Sequence, residues 1–289
     1  EADRTELPAL KLQQHAGTAR YNPDLNNIYH LFTRINPTTS NPLLYQNDAL
    51  LRASNFASNR RTIVLIHGHR DNAASNFNSV LVQALLQAEN VNVIVVDWSS
   101  GSSGSYSSAL SNTVTSGAGV ARFINWLNSA TGSNPVQYHI IGHGLGGHQA
   151  GIAARRVNGL DPSFLGWTNN DERFRPTDGQ FTEVIHTNAG VNGYIGSLAQ
   201  VDFYPNGGEN MPGCDTHACS HEKSFFYFAE SVVSGGFTGR QCATTIAAIA
   251  GTCNVLPGRL QMGGLRPKIG LVGIFYVPTN AFSPFSQDN

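Results

Sequence analysis

Charge is scarce in this chain. Asp, Glu, Lys and Arg make up 13% of its 289 residues, and 18 basic side chains stand against 19 acidic ones. No basic stripe is present to neutralise phosphates, which argues against a nucleic-acid partner. The polybasic clusters that hold proteins to anionic membranes are missing as well. No apolar run approaches the roughly 18 residues of a spanning helix, so no transmembrane segment is expected. The longest runs, Phe225 to Phe228 and Thr244 to Ala250, suit a core. Cysteine is sparse and late, at Cys214, Cys219, Cys242 and Cys253. Their spacings lack the CxxC pairs and companion histidines of a zinc site. Four buried thiols or two local disulfides remain, and the second reading places the chain in an oxidising, extracellular compartment. The start, Glu1-Ala2-Asp3-Arg4, carries no apolar signal region and reads as that of a processed, secreted chain.

What is present suits a globular protein: 40% of the residues are hydrophobic, sufficient for a core. With no composition break, linker or internal repeat, residues 1–289 read as one domain, with residues 1–25 as an extended polar arm. Ile28 to Ile35 is predicted as a strand, closed by the turn-prone Asn36-Pro37. Thr62 to Ile66 (TIVLI) and Val91 to Val96 (VNVIVV) are continuous apolar runs of the kind found in buried parallel strands. Between them Phe77, Val80, Leu81, Ala84 and Leu85 recur at helical spacing. A Ser/Gly-rich loop leads to a helix carrying Val114, Ala118, Ala121, Phe123, Ile124 and Leu127. Val136 to Ile141 reads as a further strand and Gly146 to Val157 as a further helix. Such alternation predicts an α/β fold with a mostly parallel central sheet and helices on both faces.

The most informative stretch runs from Ile140 to Asp161, IIGHGLGGHQAGIAARRVNGLD. A strand enters a glycine-rich turn and continues directly into a helix. Gly142, Gly144 and Gly147 fit the GxGxxG of a dinucleotide site, with Asp161 near the expected acidic position. The same turn fits a nucleophile elbow, GxSxG, with Gly142 and Gly146 as the small flanking residues and Gly144 where serine would stand. Three strands precede this one, whereas a dinucleotide fingerprint follows the first strand of its fold. The stretch Val157 to Leu160 is a weak strand for an acid to end. His67-Gly68-His69, after an earlier strand, has no role in nucleotide binding but suits the oxyanion loop of a hydrolase. Context therefore favours the elbow.

Further motifs follow in order: LIHGHRD from Leu65, VVDWSSG from Val95, IIGHGLGGH from Ile140 and GLDPS from Gly159. FTEVIHTNAG from Phe181, VDFYPNGG from Val201, PGC from Pro212, CSHEKSFFYFAES from Cys219 and MGG from Met262 complete them. This set, spanning roughly Ile28 to the C-terminus, resembles the pancreatic-lipase-like family, in particular its insect branch of neutral lipases, phospholipases A1 and yolk proteins. The resemblance implies an α/β-hydrolase fold, here without the separate C-terminal β-sandwich of vertebrate members. It implies a triad acid at Asp161 and a triad histidine at His221. It also implies oxyanion donors in the backbone N–H groups of His69 and Leu145, and disulfides Cys214–Cys219 and Cys242–Cys253. His143 and His148 read as packing residues.

Three departures shape the functional expectation. Gly144 has no side-chain atom that could attack a carbonyl, so no acyl-enzyme can form there. The stretch Arg173-Phe174-Arg175-Pro176-Thr177-Asp178 corresponds to the family's calcium segment but carries Arg175 at a carboxylate position. A guanidinium cannot ligate calcium, so neither metal nor cofactor is expected. Arg175 is instead expected to pair with Asp178 or a nearby acid. Only Asp215 to Ala218 lie between the two cysteines that close the family's lid, too few to cover a lipid-sized cleft. The reading is a secreted, catalytically inactive lipase homologue that binds or stores an apolar ligand, as yolk proteins do. A fatty acid, lysolipid or steroid ester would suit its cleft. The alternative is a working lipase or phospholipase A1 whose serine has been exchanged for glycine.

Overall fold

The β-branched runs become central strands because their side chains suit a pleated surface covered on both faces. The structure, a computed structural model, describes residues 20–153 and 156–288. Among these, one sheet contains β1 (Ile28–Phe32), β2 (Asn41–Leu43), β3 (Thr62–Ile66), β4 (Asn92–Asp97), β5 (Tyr138–His143) and β6 (Arg156–Leu160). It continues with β7 (Phe181–Ile185), β8 (Val201–Pro205), β9 (Thr238–Cys242), β10 (Arg259–Gln261) and β11 (Gly273–Val277). The helices are α1 (Pro23–Asn26), α2 (Asp48–Ala53), α3 (Asn76–Ala88), α4 (Ser99–Ser102), α5 (Tyr106–Thr131), α6 (Leu145–Ala153), α7 (His217–Val233) and α8 (Thr245–Ile249).

The strand order is β10-β9-β11-β8-β7-β6-β5-β3-β4-β1-β2. Every pairing from β11 across to β4 is parallel. Antiparallel partners finish both edges. Successive side chains of a strand point to opposite faces, and the core divides accordingly. Ile63, Leu65, Val93 and Val95 meet Phe77, Leu81 and Leu85 of α3 and Phe225 and Phe228 of α7. Val64, Ile66, Ile94 and Val96 meet Val120, Phe123 and Leu127 of α5 and Ala150 of α6. The expected α/β-hydrolase class, a mostly parallel sheet with helices on both faces, is the one observed. No described helix is long and apolar enough to cross a membrane.

Local chemistry moves several boundaries. The first strand stops at Phe32 rather than Ile35, because Asn36 turns the chain back: its N–H donates to Thr33 O and its Nδ2 to Leu31 O. Pro135–Gln137 form a 3-10 turn, so β5 starts at Tyr138 and not at Val136. The helix expected to reach Val157 ends at Ala153, and Arg156–Leu160 form a strand between β5 and β7. Of the expected arm, residues 1–19 lie outside the described residues, and Pro23–Asn26 form a helix capped by the Asn22 side chain. Cys214 is bonded to Cys219 and Cys242 to Cys253.

The turn between β5 and α6 sits so close to β3 that residue 146 has no space for a side chain. A methyl group there would meet Ile66 O at 2.1 Å. Gly146→Ala should therefore destabilise the protein by about 3 kcal/mol or more. Gly104→Ala, where the nearest atom is Ser108 Cβ at 3.7 Å, should cost less than about 1 kcal/mol. Equal melting temperatures for the two variants would refute this account of the turn.

Candidate functional site

The site forms where the parallel strands end and their loops diverge, the usual place for a crevice in an α/β sheet. Strand β5 delivers His143, the chain reverses at Gly144, and α6 begins at Leu145. Gly144 has φ +56°, a left-handed conformation that glycine adopts without penalty. Its N–H donates to Leu160 O at 3.2 Å, and its carbonyl accepts from Ser163 N–H at 3.2 Å. The turn is thus clamped to the segment that follows β6.

Asp161 leaves the end of β6 with φ +46°, an unusual conformation for a residue with a side chain. Surrounding bonds enforce it. Its N–H donates to Ile185 O at 2.8 Å, and its Oδ1 accepts from the N–H groups of Thr187 at 2.8 Å and Asn188 at 3.0 Å. Oδ2 accepts from His221 Nδ1 at 2.5 Å. The carboxylate is fully buried, and these donors replace the water it has lost. His221 stands in the first turns of α7, just beyond the Cys214–Cys219 bridge.

With Nδ1 held by Asp161, the other ring nitrogen faces the turn. A Cβ built on Gly144 would lie 3.2 Å from His221 Nε2 and 3.5 Å from Ser163 Oγ. The three positions expected from the sequence, Gly144, Asp161 and His221, converge on one point. Gly68, His69, Leu145, Phe77, Leu165 and Val191 line the cleft above it, whose volume is about 680 Å³. The His69 side chain turns outward to Gly104 O at 3.0 Å, which leaves its backbone on the cleft wall. Leu145 opens α6, and N–H groups in a first turn lack intrahelical acceptors. A proton could be exchanged at His221 Nε2, which Asp161 leaves free by holding Nδ1. Residue 144 supplies no nucleophile.

The neighbouring histidines set the frame. His143 packs between Phe77 and Phe225 with its ring 4.2 Å from that of His221. Burial, and the proximity of His221, hold it well below the ordinary histidine range. His148 accepts from Phe174 N–H at 3.0 Å, donates to Ser163 O at 2.9 Å and stacks on Trp167. Burial pushes it down to about 3. Ser163, Thr187 and Asn188 carry no role in the sequence reading. Two of them act through backbone N–H groups that any residue would supply, so no residue type signals them.

The calcium segment does not fit the ion. Arg175 directs its guanidinium to Asp171, not to Asp178, while its backbone N–H donates to Asp178 Oδ2 at 2.7 Å. Among the described residues no three His, Cys, Asp or Glu side chains converge as metal ligands. The Cys214–Cys219 bridge spans five positions, and two residues inside it, His217 and Ala218, already belong to α7.

The family model described as Lipase matches residues 2–285. The pancreatic triacylglycerol lipase of Oryctolagus cuniculus is 34% identical over 304 residues, covering 91% of this chain and 65% of the rabbit protein. That of Homo sapiens is 35% identical over 309 residues, covering 91% and 66%. The inactive pancreatic lipase-related protein 1 of Canis lupus familiaris is 34% identical over 278 residues, covering 83% and 59%. The chain therefore spans about two thirds, or less, of the length of these relatives.

The neutral state of His148 makes an acid-stability prediction. The unfolded chain regains the ordinary value of 6.5, whereas the folded ring protonates only near 3. Above 6.5 neither state binds the extra proton and the contribution of the neutral ring is complete. Between 6.5 and 3 only the unfolded state binds it, so stability falls as pH falls. His148→Gln keeps one acceptor and one donor. It should flatten unfolding free energy against pH by about 1.4 kcal/mol per pH unit in that window, measured by urea denaturation. An unchanged slope would place the acid sensitivity elsewhere.

Proposed function

The chain belongs to the pancreatic lipase family, and from that premise we propose that it is a secreted, catalytically inactive member that binds an apolar ligand in the cleft above Gly144. The carrying observation is the space between residue 144 and His221. A histidine paired with a buried aspartate stands 3.2 Å from where a Cβ of residue 144 would be, the place where a triad keeps its serine. Gly144 puts nothing there. Without an attacking atom no covalent acyl intermediate forms, and loss of a triad nucleophile costs about a millionfold in turnover. Main-chain donors survive such a substitution, and the apolar walls at Phe77, Leu165 and Val191 remain suited to a lipid tail.

Two disulfides support an extracellular location, since such bonds persist in oxidising compartments. A ligand-binding or storage role of the insect yolk-protein kind fits this combination of family scaffold, short lid loop and vacant nucleophile position. The intact bond between His221 and Asp161 also favours a second reading, a working lipase or phospholipase A1 whose serine has been exchanged for glycine.

Two experiments test these readings. Gly144→Ser should raise turnover of a short-chain ester by at least about a thousandfold over a near-zero background. Asp161→Asn in that variant should remove most of the gain. A folded Gly144→Ser protein that stays inert would sink the assignment of the vacant nucleophile position. A fluorescent fatty acid should bind saturably in the micromolar range, and Gly144→Trp should abolish that binding. No saturable uptake at tens of micromolar would leave storage without a ligand as the better reading.

A further inference from the structure

The atoms missing from residue 144 specify a ligand more narrowly than an apolar cleft does. Relative to serine, Gly144 lacks a methylene and one oxygen. The space left behind is bounded by the His221 imidazole, with Nε2 at 3.2 Å and Cε1 at 3.7 Å from an ideal Cβ, and by Ser163 Oγ at 3.5 Å. An acyl group held by main-chain donors at Leu145 and His69 would direct its second substituent into this space. In an ester that substituent is an oxygen carrying a further carbon chain, which must turn away from the imidazole. In a carboxylic acid it is an oxygen alone. We infer that the site selects a free long-chain carboxylate over its esters and alcohols, with one carboxylate oxygen on the main-chain donors and the other on His221 Nε2. The inference rests on the lipid-binding reading above and narrows its ligand class.

The proton inventory supports this choice. His221 Nδ1 donates to Asp161 Oδ2 at 2.5 Å, so a neutral ring presents a lone pair at Nε2. That lone pair repels a carboxylate. One proton must lie between ring and ligand, on whichever atom holds it, and the contact is then a charge-assisted hydrogen bond. An ester oxygen carries no proton and gains nothing from protonated Nε2 comparable to a carboxylate. An alcohol can donate to the neutral ring and needs no added proton. Asp161 is already satisfied by Thr187 and Asn188 N–H, which limits competition for the ring. The His143 ring next to it is neutral and engaged with His221 O at 3.3 Å through its own Nε2. Arg70, Asp71, His69 and Glu222 stand on the cleft walls, so the rim carries both signs of charge. The tail would run toward Leu165 and Val191, which are 67% and 47% exposed at the mouth.

The test compares dodecanoate, methyl dodecanoate and dodecanol by calorimetric titration of the unmodified protein, below their aggregation concentrations. The acid should bind at least about tenfold more tightly than the other two near neutral pH. Its affinity should fall as pH is raised, the signature of one required proton. The ester should show no such slope. His221→Phe should lower acid affinity to that of the ester and remove its dependence on pH; His221→Gln serves the same purpose if the first variant unfolds. Equal binding of all three, without a pH slope, would overturn the carboxylate inference while leaving the lipid-binding reading intact. Failure of all three to bind would overturn both.

Discussion

The backbone of the first turn of α6 lies against the carbonyl of Ile66 with no room for even a methyl group between them, and the site is organised around that contact. A Cβ on Gly142 would likewise meet Gly146 O at 1.9 Å. Two residues without side chains let strand, turn and helix cross β3 at backbone distance. The close approach points Gly144 outward from the sheet edge and starts α6 beside the loop carrying Gly68 and His69. Strands β3 and β5 pair directly, Ile66 opposite Gly142, so the loop after β3 and the start of α6 are held side by side.

The remaining members of the site come from far along the chain and are brought in by parallel pairing. Strand β6 lies between β5 and β7 in register, with His143 opposite Leu160 and Leu160 opposite Ile185. That register places Asp161 beside Gly144 and within reach of the N–H groups after β7. The left-handed backbone of Asp161 is a local cost of order 1 kcal/mol or more, offset by three main-chain hydrogen bonds to it. His221 arrives on α7, whose aromatic face packs with α3 on the same side of the sheet. Removing either partner of this buried aspartate–histidine bond would strand a polar group.

Legibility in the sequence differed sharply from one segment to the next. TIVLI and VNVIVV announced buried parallel strands because a strand covered on both faces must be apolar at every position. The glycines from Gly142 to Gly147 announced a tight strand-to-helix turn, though two chemistries share that pattern and only the context around it, three earlier strands and the His67-Gly68-His69 loop, separated them. The stretch Val157 to Leu160 reads only as a weak strand, and its start as helix, since Asn158 is polar and the apolar residues continue the period of the helix before it. Asn158 is tolerated in the core because it bonds to His139 and Glu183 on the neighbouring strands, partners more than fifteen positions away in either direction.

By itself the sequence determined which residue types are available: a glycine at the centre of the strand-to-helix turn, an aspartate before proline, a histidine after cysteine and serine. Those are properties of single positions and short patterns, and they survive without coordinates. Distance belonged to the tertiary structure. That His221 Nε2 and Ser163 Oγ enclose one small volume at Gly144, and that Arg175 turns to Asp171 rather than Asp178, follow from how strands register and helices pack. Hydrogen bonds to main-chain N–H groups, which hold Asp161 in place, leave no mark on residue identity, so only the fold reveals them.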